Sequence, residues 1–239
     1  MLSPTMSDMR IEDARDSNDP AAVRAVLAAE YALLAAMLGA VWSASLVRTS
    51  LFLGVLSAIG VGLGFAAQAG GGFGPTFTVF ALVGLPLALF LGLATFARTV
   101  ELQRESLVYI TGMNRIRHFM AETVPGTKAY FVLSVHDDEL GVYRSQGTGI
   151  RFHAPRYRLV FALVQTQGIV AVMCAAIAGV IGGLALAAFS LVASWIVAGT
   201  LFLVTLVGLL AYWQRSVEQL RIRIHPMFPT TDGTDEEVV

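Results

Sequence analysis

Charged residues are scarce in this chain of 239 residues, and two long stretches lack them altogether. Asp, Glu, Lys and Arg make up 14% of the residues, whereas soluble domains contain about 25%. None occurs among the 56 residues from Leu159 to Gln214 or the 49 from Thr49 to Ala97. A membrane-spanning helix needs about 20 apolar residues, so each stretch can form two spans joined by a tight turn. The sequence therefore predicts an integral membrane protein.

Cysteine and the usual catalytic motifs are also scarce. The single cysteine, Cys174, excludes a disulfide framework or a cysteine metal cage within one chain. The apolar stretches contain no ionisable Asp, Glu, Lys, Arg or His, although ion-coupled transporters use such groups near the membrane midplane. No HExxH, EF-hand or glycine-rich phosphate loop is present. We therefore predict neither a coupled pump nor an enzyme, with no catalytic residue and no cofactor.

The charged residues lie in three segments that alternate with the apolar stretches. Residues 1–48 contain 4 basic and 6 acidic residues, residues 98–158 contain 9 and 6, and residues 215–239 contain 3 and 5. With two spans in each stretch, all three segments lie on the same face of the membrane. Basic residues mark the cytoplasmic face. We therefore expect a multi-pass protein of the cell membrane with both termini and the central loop in the cytoplasm.

The fold class that follows is an all-α membrane bundle of four transmembrane helices in two hairpins, with a cytoplasmic helical stalk extending from the first hairpin. Asp19-Pro20 is typical of a helix start, and Pro125-Gly126 ends the helical pattern. The predicted organisation is a disordered acidic segment 1–19, a helical hairpin 20–124 with spans at about 50–68 and 76–97, a cytoplasmic loop region 125–158, a second hairpin 159–214 with spans at about 163–187 and 191–213, and a cytoplasmic tail 215–239.

The stalk is predicted from two apolar stripes at helical spacing. The stripes consist of Leu27, Tyr31, Leu34, Leu38 and Val41 in 20–48, and of Leu107, Ile110, Met113, Ile116, Met120 and Val124 in 98–124. The two cytoplasmic helices belong to one antiparallel hairpin, so their stripes face each other. Residues at equal distances from the membrane then meet, which places Leu34 near Gly112 and Leu38 near Val108.

An alternative topology has five spans. Residues 31–47 are uncharged and reach the lower length limit of a span. A span there would place the N-terminus outside and would need a turn at Arg48-Thr49-Ser50. That turn contains no Gly, Pro or Asn, which makes it a poor connection between helices.

The central loop contains the densest group of potential ligands. We expect a short helix within Lys128–Leu140, and His136, Asp137, Asp138 and Glu139 are weak candidates for a metal site. The favoured interpretation of these four residues is a solvated acidic turn, so no metal is predicted. Arg115, Arg117 and His118 lie near the end of the stalk helix, where cations suit the helix dipole and where an anionic ligand is the alternative.

Membrane anchoring and helix packing supply the remaining candidate residues. Arginine and aromatic residues next to a span, and tryptophans at its two ends, are typical interface anchors. The candidate anchors are Arg151, Arg156, Tyr157, Arg158, Trp195 and Trp213. Small residues four apart permit close helix packing; these are Gly60 with Gly64 and Gly179 with Gly183. The nearly balanced charge around Arg151 speaks against nucleic-acid binding.

Four motifs resemble those of uncharacterised actinobacterial multi-span membrane proteins. They are Arg48-Thr-Ser-Leu-Phe-Leu-Gly-Val-Leu-Ser57, Leu89-Phe-Leu-Gly-Leu-Ala-Thr95, Gly112-Met-Asn-Arg-Ile-Arg-His118 and His136-Asp-Asp-Glu139. The resemblance covers roughly residues 20–160. It implies a membrane location and no particular chemistry.

Three functions remain open from the sequence. The leading hypothesis is a non-enzymatic membrane scaffold or signalling component that self-associates in the lipid bilayer and meets a cytoplasmic protein partner. The second is a homo-oligomeric pore or channel lined by Ser and Thr side chains. The third is a metal-dependent membrane enzyme that uses the cluster from His136 to Glu139.

Overall fold

The computed structural model of the protein describes residues 20–146, 163–187, 189–223 and 225–230, and these residues form helices and connecting turns without a strand. The helices are α1 (Pro20–Ala69), α2 (Pro75–Thr123), α3 (Glu139–Ser145), α4 (Thr166–Leu186) and α5 (Leu191–Arg223), with a 3₁₀ turn at Thr127–Tyr130. Helices α1, α2, α4 and α5 are long and apolar enough to cross a membrane. The predicted all-α class with four membrane-spanning helices is confirmed.

The chain folds into two compact units. We call the first the clasp unit; its described residues are 20–39, 107–146 and 226–230. The second is the bundle unit, with described residues 40–106, 163–187, 189–223 and 225.

Helix α1 is continuous from Pro20 to Ala69. The five-span alternative required a turn at Arg48-Thr49-Ser50, and these residues are helical. The hydroxyl of Thr49 donates to the carbonyl of Ser45, four residues earlier, at 2.9 Å, as a threonine within a helix does. The five-span alternative is therefore wrong as drawn, because nothing breaks the helix at the position where the chain had to reverse.

The bundle unit is organised around a close approach of three helices at Gly92. A Cβ atom at this position of α2 would lie 2.6 Å from Sγ of Cys174 in α4 and 2.9 Å from the Phe52 ring in α1. Both neighbours are buried and belong to the apolar core. Glycine is required here for space, and Cys174 acts as a small packing residue of the apolar core.

Helices α4 and α5 pack through small residues. A Cβ atom at Gly179 would lie 2.8 Å from the carbonyl oxygen of Ala198, and the Ser194 hydroxyl donates to the carbonyl of Gly183 at 2.6 Å. Gly60 and Gly64 in α1 are different, because a Cβ at either position would meet nothing within 4 Å. Of the two glycine pairs, the structure therefore brings only the pair in α4 into a helix contact among the described residues.

In the clasp unit, α1 and α2 pack antiparallel along the predicted stripes. A Cβ atom at Gly112 would lie 3.0 Å from Cδ1 of Leu34, which confirms the predicted proximity of these two residues. Leu38 and Leu107 pack against the buried core of this unit, whereas Val108, the predicted neighbour of Leu38, is 45% exposed. The proximity of Leu38 to Val108 therefore stays a prediction.

The central loop differs from the predicted helix at Lys128–Leu140. The chain forms the short 3₁₀ turn at Thr127–Tyr130, continues irregularly to Asp138 and becomes helical again at Glu139. Aromatic and β-branched residues between Tyr130 and Val135 have low helix propensity. Of these, Val135 is buried, whereas Tyr130 is 84% and Val132 96% exposed. Of the predicted α-helix, only the last two residues, Glu139 and Leu140, are α-helical, and they begin the helix α3 that continues to Ser145.

Candidate functional site

The last turns of α2 bring a buried arginine against α1. Arg117 is 5% exposed and donates from Nη2 to the hydroxyl of Tyr31 at 2.7 Å and from Nη1 to Oδ1 of Asn114 at 2.6 Å. The guanidinium carbon also lies 5.3 Å from the centroid of the Tyr31 ring, a cation–π distance. Hydrogen bonds and the ring face thus stabilise the buried charge, and they lock α1 to α2.

Asn114 connects this arginine to the central loop. Its side chain is fully buried, its Nδ2 donates to the carbonyl of His136 at 2.8 Å, and its Oδ1 also accepts from the hydroxyl of Ser145 at 2.9 Å. Buried polar groups are stable when they are hydrogen-bonded. One asparagine therefore fixes α2, the loop and the end of α3 in a single arrangement.

Asp137 is a buried carboxylate with three donors. Oδ2 accepts from Nε of Arg115 at 2.7 Å and from the backbone N–H of Met227 at 2.9 Å, and Oδ1 accepts from the backbone N–H of Phe228 at 2.7 Å. Burial by itself raises the pKa of this carboxyl, but the bonds from Met227, Arg115 and Phe228 outweigh it and hold the pKa below its usual value. Asp137 is therefore a fixed anion that holds residues 226–230, here called the tail segment.

Asp138 holds two chain segments with its two oxygens. Oδ1 accepts from the backbone N–H of Gly141 at 2.9 Å and caps the N-terminus of α3. Oδ2 accepts from the backbone N–H of Thr230 at 3.1 Å. The two neighbouring aspartates thus hold the tail segment at three of its amides.

An aromatic contact completes the site. The rings of His118 and Phe228 stack with centroids 4.0 Å apart and an interplanar angle of 17°. The backbone N–H of Asp137 donates to the carbonyl of Phe228 at 3.3 Å. Phe228 is therefore held both through its main chain and through its ring, and it is the central residue of the tail segment in this contact.

The geometry gives Asp137 a structural role. Both of its oxygens are occupied by N–H donors, and Glu139 is an exposed residue in the first turn of α3. In the part of the chain that the structure describes, no group of three His, Cys, Asp or Glu side chains could hold a metal ion. The expected solvated acidic turn is wrong for Asp137, whose side chain has 0% exposure. The burial follows from its bonds to the tail segment.

The predicted interface anchors fall into three groups. Arg151, Arg156, Tyr157 and Arg158 lie outside the described residues. Trp195 is 73% exposed, as a lipid-facing anchor has to be. Trp213 is 7% exposed, and its indole N–H donates to Oε1 of Gln103 at 2.7 Å. Its ring is therefore covered by protein, and its position at a membrane interface stays a prediction.

Sequence reasoning missed the residues that assemble the site. Tyr31 was predicted only as a member of the apolar stripe, and Asn114 was given no role. Arg117 was predicted to interact with the helix dipole, whereas its side chain forms hydrogen bonds to both of these residues. The tail segment did carry a usable signal, because its prolines are Pro226 and Pro229. They alternate with Met227, Phe228 and Thr230, whose N–H groups make the contacts.

Comparison with known proteins gives no family for this chain. No protein-family model, curated protein or solved structure matches it.

Proposed function

We propose that this protein is a non-enzymatic scaffold or signalling component of the membrane, which presents the clasp unit to a protein partner in the cytoplasm. The observation that supports the proposal is that the buried polar side chains of the clasp unit form hydrogen bonds within that unit. Arg117, Asn114 and Asp137 are buried and bonded to other parts of the same unit. Groups engaged in this way stabilise a shape and are not placed to act on a substrate.

The surface proposed to meet the partner is the loop from Tyr130 to Leu133. All four of its side chains are apolar, and three of them, Tyr130, Val132 and Leu133, are 84%, 96% and 40% exposed. Exposed neighbouring apolar residues next to polar ones mark interaction sites. The loop begins after the glycine turn at Gly126, φ 86°, and Asn114 holds its far end through the carbonyl of His136. A loop fixed at both ends presents these side chains with little entropic cost of binding.

The cytoplasmic orientation is part of the proposal. The beginning of α1, the central loop and the tail segment belong to one compact unit, which supports a topology that places them on one side of the membrane. The excess of basic residues in 98–158 favours the cytoplasmic side. Cysteines introduced at Ser134 should accordingly react with an impermeant thiol reagent only after cell lysis, and cysteines at Gly72 should react in intact cells, both in a Cys174→Ala background.

The other two functions have no specific support. Thr78 and Thr200, which a pore would use as lining groups, donate to the carbonyls of Gly74 and Ile196 in their own helices. A metal-dependent reaction at Asp137 would require its bonds to Arg115 and the tail segment to break. The two threonine hydroxyls are thus engaged within their own helices, and the Asp137 carboxylate is engaged by N–H donors.

Site-specific photocrosslinking tests the proposed surface. A photoreactive amino acid at Val132 should give one adduct of discrete size in cells, and the same probe at Glu122, an exposed position on α2, should give none. The adduct should disappear when the variant also carries Tyr130→Ser and Leu133→Ser. It should persist with Glu122→Ser and Arg144→Ser, which change exposed polar positions of the same unit.

Two results would contradict the proposal. One is an absence of adducts from all loop positions 130–133 in a protein whose helical content is unchanged. The other is a stepwise ionic current from the purified protein in planar bilayers, which would favour the pore.

A further inference from the structure

The contact between the tail segment and the loop has the form of peptide recognition. One side is a fixed receptor, made of the Asp137 and Asp138 carboxylates and the face of the His118 ring. The other side is an extended segment that contributes backbone amides and one aromatic ring. Main-chain bonds supply affinity in such modes, and a side-chain contact supplies selectivity. The receptor side thus recognises an extended backbone through its N–H groups and one aromatic ring through stacking.

The prolines of the tail segment match this receptor. Amide donors are needed from Met227, Phe228 and Thr230, and proline, which has no N–H, occupies the two other positions, 226 and 229. Proline also restricts the chain to extended conformations before binding, which reduces the entropy lost on binding. The ligand preferred by the site is therefore an extended segment with an aromatic residue and prolines where no donor is needed.

The tail segment is an imperfect occupant of the site. His118 Nδ1 and Thr230 Oγ1 are buried and have no hydrogen-bond partner among the described residues. Met227 is 63% exposed, and both prolines are exposed as well. A buried polar atom without a partner costs free energy, and a lightly covered segment can leave without opening the apolar core. A competing segment that offers His118 Nδ1 a hydrogen-bond partner, and that has no unpaired hydroxyl at the position of Thr230, avoids both costs and would displace the tail segment.

We propose that His118, Asp137 and Asp138 form a binding site for a proline-flanked aromatic peptide segment of a partner protein, and that the chain's own tail segment occupies and blocks this site. Binding of the partner replaces the tail segment residue for residue. The site is separate from the loop surface at Tyr130–Leu133, so it stands or falls independently of the proposed function.

The covalent attachment of the tail segment determines how tightly a free peptide should bind. A segment attached to the same chain competes at an effective concentration on the order of millimolar. A free peptide must overcome that concentration, so binding to the wild-type protein is weak. When the tail segment is weakened, the same peptide gains access to the site.

The test uses full-length protein in detergent and a fluorescent peptide with the sequence of residues 225–230. Fluorescence anisotropy should show at least about tenfold tighter binding to the Phe228→Ala protein than to the wild type, because the weakened tail competes less. A second tail variant, Thr230→Pro, removes one donor and should give the same direction of change. Both variants alter a surface segment, and circular dichroism checks that their helical content is retained.

Specificity controls locate the binding. Asp137→Asn or His118→Ala, added to Phe228→Ala, should each reduce the affinity at least about tenfold. A peptide with proline in place of Met227 lacks one donor and should bind weakly, as should a peptide with alanine in place of Phe228.

The proposal is overturned if the two tail variants bind the peptide no more tightly than the wild type. It is equally overturned if the proline-substituted peptide binds as well as the original, or if binding survives Asp137→Asn and His118→Ala. Crosslinking at Val132 reports on the proposed function and is unaffected by any of these results.

Discussion

The two units hold their helices together by different means. In the clasp unit, α1 and α2 are joined by a small apolar core and by directed bonds from Arg117 and Asn114. In the bundle unit, the helices meet mainly through apolar contacts and close approaches at Gly92 and Gly179. Hydrogen bonds from Ser194 and Trp213 add to this packing. Lipid removes the hydrophobic driving force between helices, so packing has to supply stability there. Directed polar bonds, in contrast, fix one particular arrangement of the groups that they join.

Removing Arg117 should therefore give the largest effect, and it should be confined to the clasp unit. Arg117→Met retains much of the volume but leaves the Tyr31 hydroxyl without its donor. Hydrogen bonds to charged groups contribute about 1.5–3 kcal/mol each, and this side chain makes two short ones. We expect a loss of about 3 kcal/mol or more, seen as faster amide hydrogen exchange in 107–123.

The matched control is Arg144→Met, which changes an exposed arginine of α3 and should leave exchange unaltered. Equal acceleration in α4 after Arg117→Met would contradict the separation of the two kinds of stabilisation.

The bundle unit should respond most to added volume. Gly92→Val places a branched side chain against Cys174 and Phe52, where even a Cβ lies too close. Overpacking costs about 1–3 kcal/mol. The protein should unfold at a lower temperature in detergent. Gly60→Val makes the same chemical change at an open position and should have little effect. Similar losses for both variants would show that helix propensity, and not packing, decides stability.

Acidification should affect the tail segment before the apolar core. The pKa of Asp137 in the folded protein lies below its usual 3.8, so the carboxylate stabilises the fold fully above that value. This stabilisation is lost as the pH falls through the lower, folded-state pKa. Amide exchange at Met227 and Phe228 should then exceed the change expected from intrinsic exchange rates. Asp137→Asn should remove this extra pH dependence; its persistence would assign the effect to another group.

The smallest effect is expected at the exposed charges of the bundle unit. Arg98 contacts Glu101 at 2.9 Å and Glu105 at 3.3 Å, and all three side chains are exposed by 39–54%. Solvent and salt screen such pairs. Glu101→Gln should leave the unfolding temperature unchanged within error. A clear decrease in the unfolding temperature would mean that these exposed ion pairs contribute to stability as the buried hydrogen bonds of Arg117 and Asn114 do.

The sequence was sufficient for the elements that depend on continuous patterns. Charge-free stretches predicted four long apolar helices, and the stripes predicted the contact of Leu34 with Gly112, because a helical repeat fixes which residues share a face. The central loop escaped prediction, since its conformation depends on Asn114 and on a segment about 90 residues further along the chain. Local helix propensity contains no information about hydrogen bonds between residues so far apart in the sequence.

The alternation of prolines and donors in the tail segment has a consequence for sequence change. Substitution of the exposed Met227 by another non-proline residue leaves every amide donor in place. A one-residue deletion between Pro226 and Phe228 instead shifts the segment relative to Asp137 and Asp138, and it brings proline to a position where a donor is required. Relatives that keep this contact should therefore vary at the position of Met227 but retain the length of the segment. An insertion or deletion within it would mark chains in which the contact has been lost.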